Sequence, residues 1–212
     1  MQLTDYKQSI ITEAVTKGLD PNATLVPSGI DWIGDVPEGW KISQLKRFVS
    51  FQNGQDYKDI EAAEGFPVYG SGGVFAYSNS YMYEGESILF GRKGTINKPL
   101  YINCKFWTVD TMYYTIPKKD VCTKYLYYVA TTLPFDKYST STALPSMTQT
   151  ILGNLKIAMP YISEQQSIAT YLDSKCSEID SLIAIKQQKI ETLKDYKKSM
   201  IYECVTGKTD IV

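Results

Sequence analysis

From Ser163 to Val205 the chain contains neither proline nor glycine, and its apolar residues return at alternating spacings of four and three. Leu172, Cys176, Ile179, Ile183, Lys186, Ile190, Leu193, Lys197 and Met200 form one heptad-like seam, interrupted by the two lysines. The pattern predicts a single long helix, opened by Ser163 with Gln165 and Gln166 close behind. Some 40 helical residues at a rise of about 1.5 Å span roughly 60 Å, more than the diameter of a domain this size. Such a helix projects, and its seam calls for a partner helix, expected to come from another chain. At the other end, Leu3, Tyr6, Ile10 and Ala14 predict a second helix over residues 3–16, stopped by Gly18.

Between the helices the pattern changes. The stretch "PNATLVPSGIDWIGDVPEGWKI" has too many prolines and glycines for a helix and too many apolar residues for a loose linker. It predicts an ordered, extended segment that anchors Trp32 and Trp40 on a domain. Residues 41–150 are rich in Tyr, Thr, Val, Ile, Gly and Ser, which favours strands and turns. "FPVYGSGGVFAYS" and "SILFGRKGTINKPLYI" each read as strand, glycine loop, strand; "FWTVDTMYYTI" reads as one further strand. "TKYLYYVATTL" reads as a short helix, "DKYSTSTALPSMTQT" as a polar loop, and "LKIAMP" as a last strand. The expected class is α+β: a mostly β domain with short helices, a short N-terminal helix, and a long projecting coiled-coil helix. The expected division is 1–20, 21–160 and 161–212.

The two ends repeat each other. Without a gap, Leu3, Asp5, Tyr6, Lys7, Ser9, Ile11, Glu13, Val15, Thr16 and Asp20 recur as Leu193, Asp195, Tyr196, Lys197, Ser199, Ile201, Glu203, Val205, Thr206 and Asp210. Two copies flanking an unrelated middle do not make a solenoid.

Composition narrows the chemistry. The chain has no histidine, the commonest general base and metal ligand. Its four cysteines, Cys104, Cys122, Cys176 and Cys204, form no C-x-x-C pair, so isolated thiols are expected and a metal site is not. The start "MQLTDYKQSI" lacks the regions of a signal peptide, and no apolar run is long enough for a membrane span, so a cytoplasmic protein is expected. The formal net charge is −1, but it is unevenly spread: Lys+Arg against Asp+Glu is 2 to 6 over residues 1–40, 12 to 9 over 41–150, and 8 to 8 over 151–212. That distribution permits a middle facing nucleic acid without demanding one. No P-loop, G-x-S-x-G, methyltransferase tetrapeptide or G-x-G-x-x-G placed between strand and helix is found, so no catalytic role of its own is expected.

Four stretches together resemble the specificity (S) subunit of type I restriction–modification systems: "PSGIDWIGDVPEGWKISQLK", the middle "GSGG…GRKGTINKPLY…FW", the junction "LPSMTQTILGNLKIAMPYISEQQSIATYLD", and the tail "YKKSMIYECVTG". The resemblance covers essentially the whole chain. Such subunits usually carry two target-recognition domains, each followed by a long conserved helix, the two helices pairing antiparallel; this chain has one of each. The repeated ends then read as the overlap of a pseudo-cyclic layout cut once. The resemblance implies a non-catalytic subunit that reads one half of a bipartite double-stranded DNA site. It implies pairing as a homodimer, a palindromic target, and partnership with adenine-methyltransferase (M) and restriction (R) subunits. S-adenosylmethionine is expected in M alone, so no cofactor is expected here. In the dimer, residues 193–206 of one chain would approach residues 3–16 of the other and pack there as like helices. The near-neutral charge leaves open a rival class, an assembly decoy, silent cassette or coiled-coil adaptor without DNA affinity.

Three loops offer groups suited to DNA. Arg92, Lys93, Thr95 and Lys98 lie in or beside a glycine-bounded turn where backbone can approach phosphate. Tyr69, Ser71, Gly72 and Gly73 form a second candidate loop. Ser141, Thr142, Ser146, Thr148 and Gln149 form a third; Gln suits adenine and Arg suits guanine in the major groove. Tyr113, Tyr114, Tyr127 and Tyr128 are expected to pack on strands and a helix rather than stack on bases.

Overall fold

The computed structural model describes residues 2–139 and 145–207. In chain order the elements are α1 (Leu3–Lys17), β1 (Leu25–Pro27), β2 (Asp35–Pro37), β3 (Lys41–Gln44), β4 (Val49–Asn53), β5 (Glu61–Ala62), β6 (Phe66–Gly70), β7 (Gly73–Ser78), β8 (Tyr83–Gly91), β9 (Leu100–Thr108), β10 (Met112–Pro117), α2 (Thr123–Ala130), α3 (Phe135–Tyr138), α4 (Gln149–Asn154), β11 (Lys156–Met159) and α5 (Ile162–Val205). The mixed α+β class follows directly, with a sheet-rich middle and a long C-terminal helix.

Seven strands form one sheet in the order β4-β10-β8-β9-β6-β7-β5, antiparallel except for the parallel pair β6 and β9. Backbone pairing of β8 with β10 stops at Leu89 and Tyr114. Beyond it, buried hydroxyls take over: Ser87 Oγ donates to Thr115 O at 2.7 Å, and Ile88 N donates to Thr115 Oγ1 at 2.9 Å. Each buried polar group thereby keeps a partner where the strands diverge. The strand expected from "FWTVDTMYYTI" is in fact two. β9 ends at Thr108, residues 109–111 turn, and β10 starts at Met112, whose N–H bonds Val109 O at 3.0 Å. Phe106 and Met112 are both fully buried, so no alternation marks the break.

The lead-in segment is ordered as expected. β1 and β2 form a hairpin, and Trp32 and Trp40 pack on the core. Trp40 Nε1 also donates to Glu164 Oε2 at 3.2 Å, tying this segment to the first turn of α5. β3 pairs with β11 apart from the main sheet, which brings residues 41–44 beside the start of the long helix.

The helix start differs by a residue or two from the sequence reading. Tyr161, not Ser163, is the N-cap. Gln165, almost fully buried, clamps this corner: its Oε1 accepts from Cys122 N and its Nε2 donates to Pro160 O, both at 2.9 Å. α2 packs against α5 through Tyr128, whose hydroxyl donates to Asp173 Oδ1 at 2.6 Å. Tyr125, wholly buried, donates to Ala158 O at 2.9 Å. α1 lies antiparallel on the same stretch of α5: Lys7 Nζ meets Asp180 Oδ2 at 2.6 Å, while Gly18 reaches back to Glu164. α1 buries Ile11, Ala14 and Val15, whereas Tyr6 stays 44% exposed. The predicted face of Leu3, Tyr6, Ile10 and Ala14 is thus rotated, because the helix packs on α2 and β2 as well as on α5 and so buries neighbouring positions 14 and 15.

The seam of α5 divides in two. Leu172, Cys176 and Ile179 are buried within the chain itself, and Ile183 is half-buried. Beyond it, Lys186 and Lys197 are exposed, as are Ile190 (52%), Leu193 (60%) and Met200 (38%). At about 1.5 Å per residue the 44-residue helix is roughly 66 Å long, and its distal half stands clear of the described core.

Candidate nucleic-acid interface

The three loops proposed from sequence are separated by up to some 80 residues, yet a run of backbone contacts that starts at one turn links them. That turn is residues 109–111, between β9 and β10. On one side, Val109 N donates to Tyr69 O at 3.3 Å and Thr108 Oγ1 donates to Tyr69 O at 2.9 Å. This fixes the base of the β6–β7 turn, residues 70–73. On the other side, Arg92 N donates to Thr111 O at 2.8 Å, and an Arg92 guanidinium nitrogen donates to Asp110 O at 3.3 Å. The guanidinium also lies 6.0 Å from the Tyr113 ring centroid. The loop of Arg92 and Lys93 is then stitched to the third segment. Met147 N donates to Arg92 O at 3.0 Å, Gly94 N donates to Pro145 O at 2.9 Å, and Lys93 and Ser146 form a β-bridge.

Two glycines make this packing possible. A Cβ at Gly91 would lie 2.2 Å from Thr95 O, and one at Gly54 would lie 2.0 Å from Val109 O. No side chain fits either distance, so backbone approaches backbone and the loops are pinned. Gly94, at φ 81°, supplies the left-handed turn between Lys93 and Thr95. Thr95 and Lys98 follow as exposed residues, while Thr95 O packs against Gly91 within the same loop.

Thr148 caps α4: its Oγ1 accepts from Ile151 N at 3.2 Å. That cap orients the first residue of the helix, Gln149, whose Nε2 donates to Asn53 Oδ1 at 3.0 Å. Asn53 and Gln55 are exposed at the end of β4, and Gln55 O accepts from Trp107 Nε1 at 3.0 Å. From Gln149 a shallow groove, lined also by Val49 and Phe51, continues past Thr150 and Asn154 to Lys46 and Lys118. Lys46 Nζ donates to Asn154 Oδ1 at 2.7 Å and Lys118 Nζ to Lys46 O at 2.9 Å. Asn53, Gln55, Lys46 and Lys118 were not singled out from sequence. The amide cluster "QNGQ" at 52–55 was the available signal, since an Asn-Gly turn after a strand often presents side chains at a sheet rim.

Ser71 and Gly72 form the tip of the β6–β7 turn, and Gly73 opens β7 opposite Gly70. Tyr69 is a support rather than a reaching group: its ring packs edge-on against Phe106 at 6.1 Å, and burial raises its hydroxyl's pKa. Ser141 and Thr142 lie outside the described residues. Tyr113 and Tyr128 are buried, and Tyr114 and Tyr127 pack against aromatic neighbours. Burial, then the bond to Asp173, pushes the Tyr128 hydroxyl far above the usual phenol range, so it remains a neutral donor. The rim therefore offers a guanidinium, several ammonium groups, carboxamides, short hydroxyls and tight glycine backbone. These are the groups that contact phosphates and base edges.

Comparison with known proteins agrees with this architecture. Residues 37–195 match the type I restriction modification DNA specificity domain. A curated relative, the type I restriction enzyme MjaVIII specificity subunit of Methanocaldococcus jannaschii, is 25% identical over 97% of this chain and 54% of its own length. A chain from a structure describing assembly and conformational transition of a type I R-M system superposes with a TM-score of 0.74, at 16% identity over 95% of this chain and 51% of that one. The HsdS subunit of Thermoanaerobacter tengcongensis gives 0.67 at 16% identity, over 95% of this chain and 50% of that one. The chain thus spans about half the length of the relatives it matches. No helix among the described residues is long and apolar enough to cross a membrane. With the family's domain matched across three-quarters of its residues and the fold shared from α1 to α5, this chain belongs to the type I restriction–modification specificity subunits.

Proposed function

We propose that the chain reads one half of a bipartite double-stranded DNA site and acts as a homodimer on a palindromic target. In that role it directs adenine-methyltransferase and restriction subunits and performs no chemistry itself. The observation that carries this reading is the chain of backbone contacts that joins the three loops: Tyr69 and Arg92 bond the turn at residues 109–111, and residues 145–147 bond Arg92 and Gly94. A rigid sheet rim there presents Arg92, Lys93, Asn53 and Gln149 together, within a family of DNA specificity domains. Loops held by backbone hydrogen bonds and glycine contacts lose little entropy on binding, which suits a surface that discriminates bases. Twofold symmetry of a protein is mirrored in the symmetry of its site, so two identical halves read inverted repeats. S-adenosylmethionine belongs to the methyltransferase partner on this reading.

Selection from a random duplex library, with the chain alone and with a methyltransferase partner, tests the proposal. The expected enrichment is two inverted half-sites at fixed spacing. Affinity should fall steeply with salt as phosphate-bound counterions are released. Enrichment of no sequence, or binding indifferent to salt, would instead favour the decoy or adaptor reading.

A further inference from the structure

The repeat at the two ends of the chain meets the structure at one place. α1 docks on the proximal half of α5 with Ile11, Ala14 and Val15 buried, Ile10 partly covered, and Lys7 paired with Asp180. At the same spacing, the tail of α5 carries Ile201, Cys204, Val205, Met200 and Lys197. There the equivalent surface is open: Ile201 is 53% and Val205 81% exposed. The tail thus holds nearly the whole set of side chains that α1 uses, and in this chain Lys197, Met200, Ile201 and Val205 stay exposed while Cys204 is half-buried.

Resting on the homodimer reading above, we infer that α1 and the tail of a second copy are alternative occupants of one groove on α5. The tail replaces α1 when two chains pair, rather than packing beside it. The register supports this. If Lys197 takes the place of Lys7 against Asp180, two antiparallel α5 helices are related by a twofold axis midway between residues 180 and 197, at Gln188 and Lys189. Ile190 of one chain then lies alongside Lys186 of the other, and Leu193 alongside Ile183, covering the exposed middle of the seam. An antiparallel register of identical helices closes on itself, so one contact made twice completes the dimer.

The competition is balanced. α1 is tethered to its groove, which gives it a high effective concentration. It also fits better at its end: Gly18 sits where a Cβ would lie 3.2 Å from Glu164 Oε1 and 3.3 Å from Trp40 Cζ2. The tail has its glycine one residue earlier, at Gly207, and a larger Cys204 in place of Ala14. Against that, the tail brings the whole distal seam with it. α1 therefore acts as a plug that sets the strength of pairing.

Sedimentation equilibrium on the full chain and three variants tests the inference. Ile201→Asp with Val205→Asp alters only residues exposed in the single chain, and should weaken self-association at least tenfold. Deleting residues 2–17 removes the plug and should strengthen it at least tenfold. Because that deletion uncovers core residues, Lys7→Glu serves as a second test: it sets α1 against Asp180 without touching the core, and should strengthen pairing by about threefold. If the tail substitutions weaken the dimer while loss or loosening of α1 leaves it unchanged or weaker, α1 is not a competitor and the inference fails. If the dimer forms and no variant alters it, the inference fails while the homodimer stands on another surface. If neither the full chain nor any variant associates, the homodimer reading itself falls, and the inference with it.

Discussion

The two halves of α5 carry the same kind of seam in opposite surroundings. From Gln165 to Ile179 the seam is sealed by α1 and α2, with Ile168 and Leu172 fully buried. From Leu182 to Val205 the same spacing of apolar residues faces outward, with Leu193 60% and Ile185 61% exposed. The periodicity is common to both, so it identifies a face and not what covers that face. The proximal half holds the fold together. The distal half is exposed in the single chain, and the homodimer proposed above assigns it to a second copy.

The sharpest way to break this comparison is to truncate equivalent seam positions. Leu172→Ala should destabilise the chain by about 2–5 kcal/mol, the usual result for a fully buried leucine. Leu193→Ala should stay within roughly 0.5 kcal/mol in the single chain, as surface changes do. Urea denaturation at low protein concentration reads both. A comparable loss at both positions would mean the distal half is packed already. Next in size are effects on DNA. Arg92→Ala should lower affinity for the cognate site by about 1–3 kcal/mol and relax discrimination at one base position. Lys93→Ala should weaken binding across all sequences and reduce the slope of log affinity against log salt by about one. Both are read by anisotropy across a salt series, with thermal melting as the control.

Smaller still is the ion pair that fixes the register of α1. Lys7→Ala removes the partner of Asp180 and should cost about 0.2–1 kcal/mol, less at high salt. The smallest effect is a pH dependence at the joint between the lead-in segment and α5. Burial raises the Glu164 carboxyl above its ordinary range, and the bond from Trp40 Nε1 opposes this in part. A carboxyl whose folded pKa is raised favours the folded state while protonated. Its contribution is therefore present below the unfolded pKa and lost as pH rises through the folded pKa. Glu164→Gln should flatten that part of the stability profile, measured by denaturation between pH 3 and 7. An unchanged profile would place the carboxyl in ordinary solvent.

Much of the fold was legible because local rules and tertiary context agree. The absence of helix breakers gave α5, Gly18 gave the end of α1, and the glycine loops gave the turns at 70–73 and 91–94. The errors occurred where context decides. Buried residues lie on either side of Val109 to Thr111, Phe106 and Thr108 before and Met112 and Tyr113 after, so no change of pattern announces two strands. Tyr6 looked apolar enough to face inward, but the contacts of α1 with both α2 and β2 select Ile11 and Val15 instead. For the site, the loops could be identified singly. Their convergence could not, because it depends on hydrogen bonds from Arg92 to Asp110 and from Met147 to Arg92, across long separations in sequence. Asn53 carried a local signal in the amide cluster at 52–55, but its pairing with Gln149 spans 96 residues of sequence and could not be read from it.

The most direct test is the map of methylated adenines in DNA from cells expressing this chain with a type I methyltransferase subunit from the same source, set against cells with that subunit alone. The account predicts a new bipartite motif whose halves are inverted repeats, lost in the Ile201→Asp, Val205→Asp chain. An asymmetric motif would mean pairing with a different specificity half. No new motif, with the two proteins still co-purifying, would contradict the reading of the sheet rim as a DNA-recognition surface.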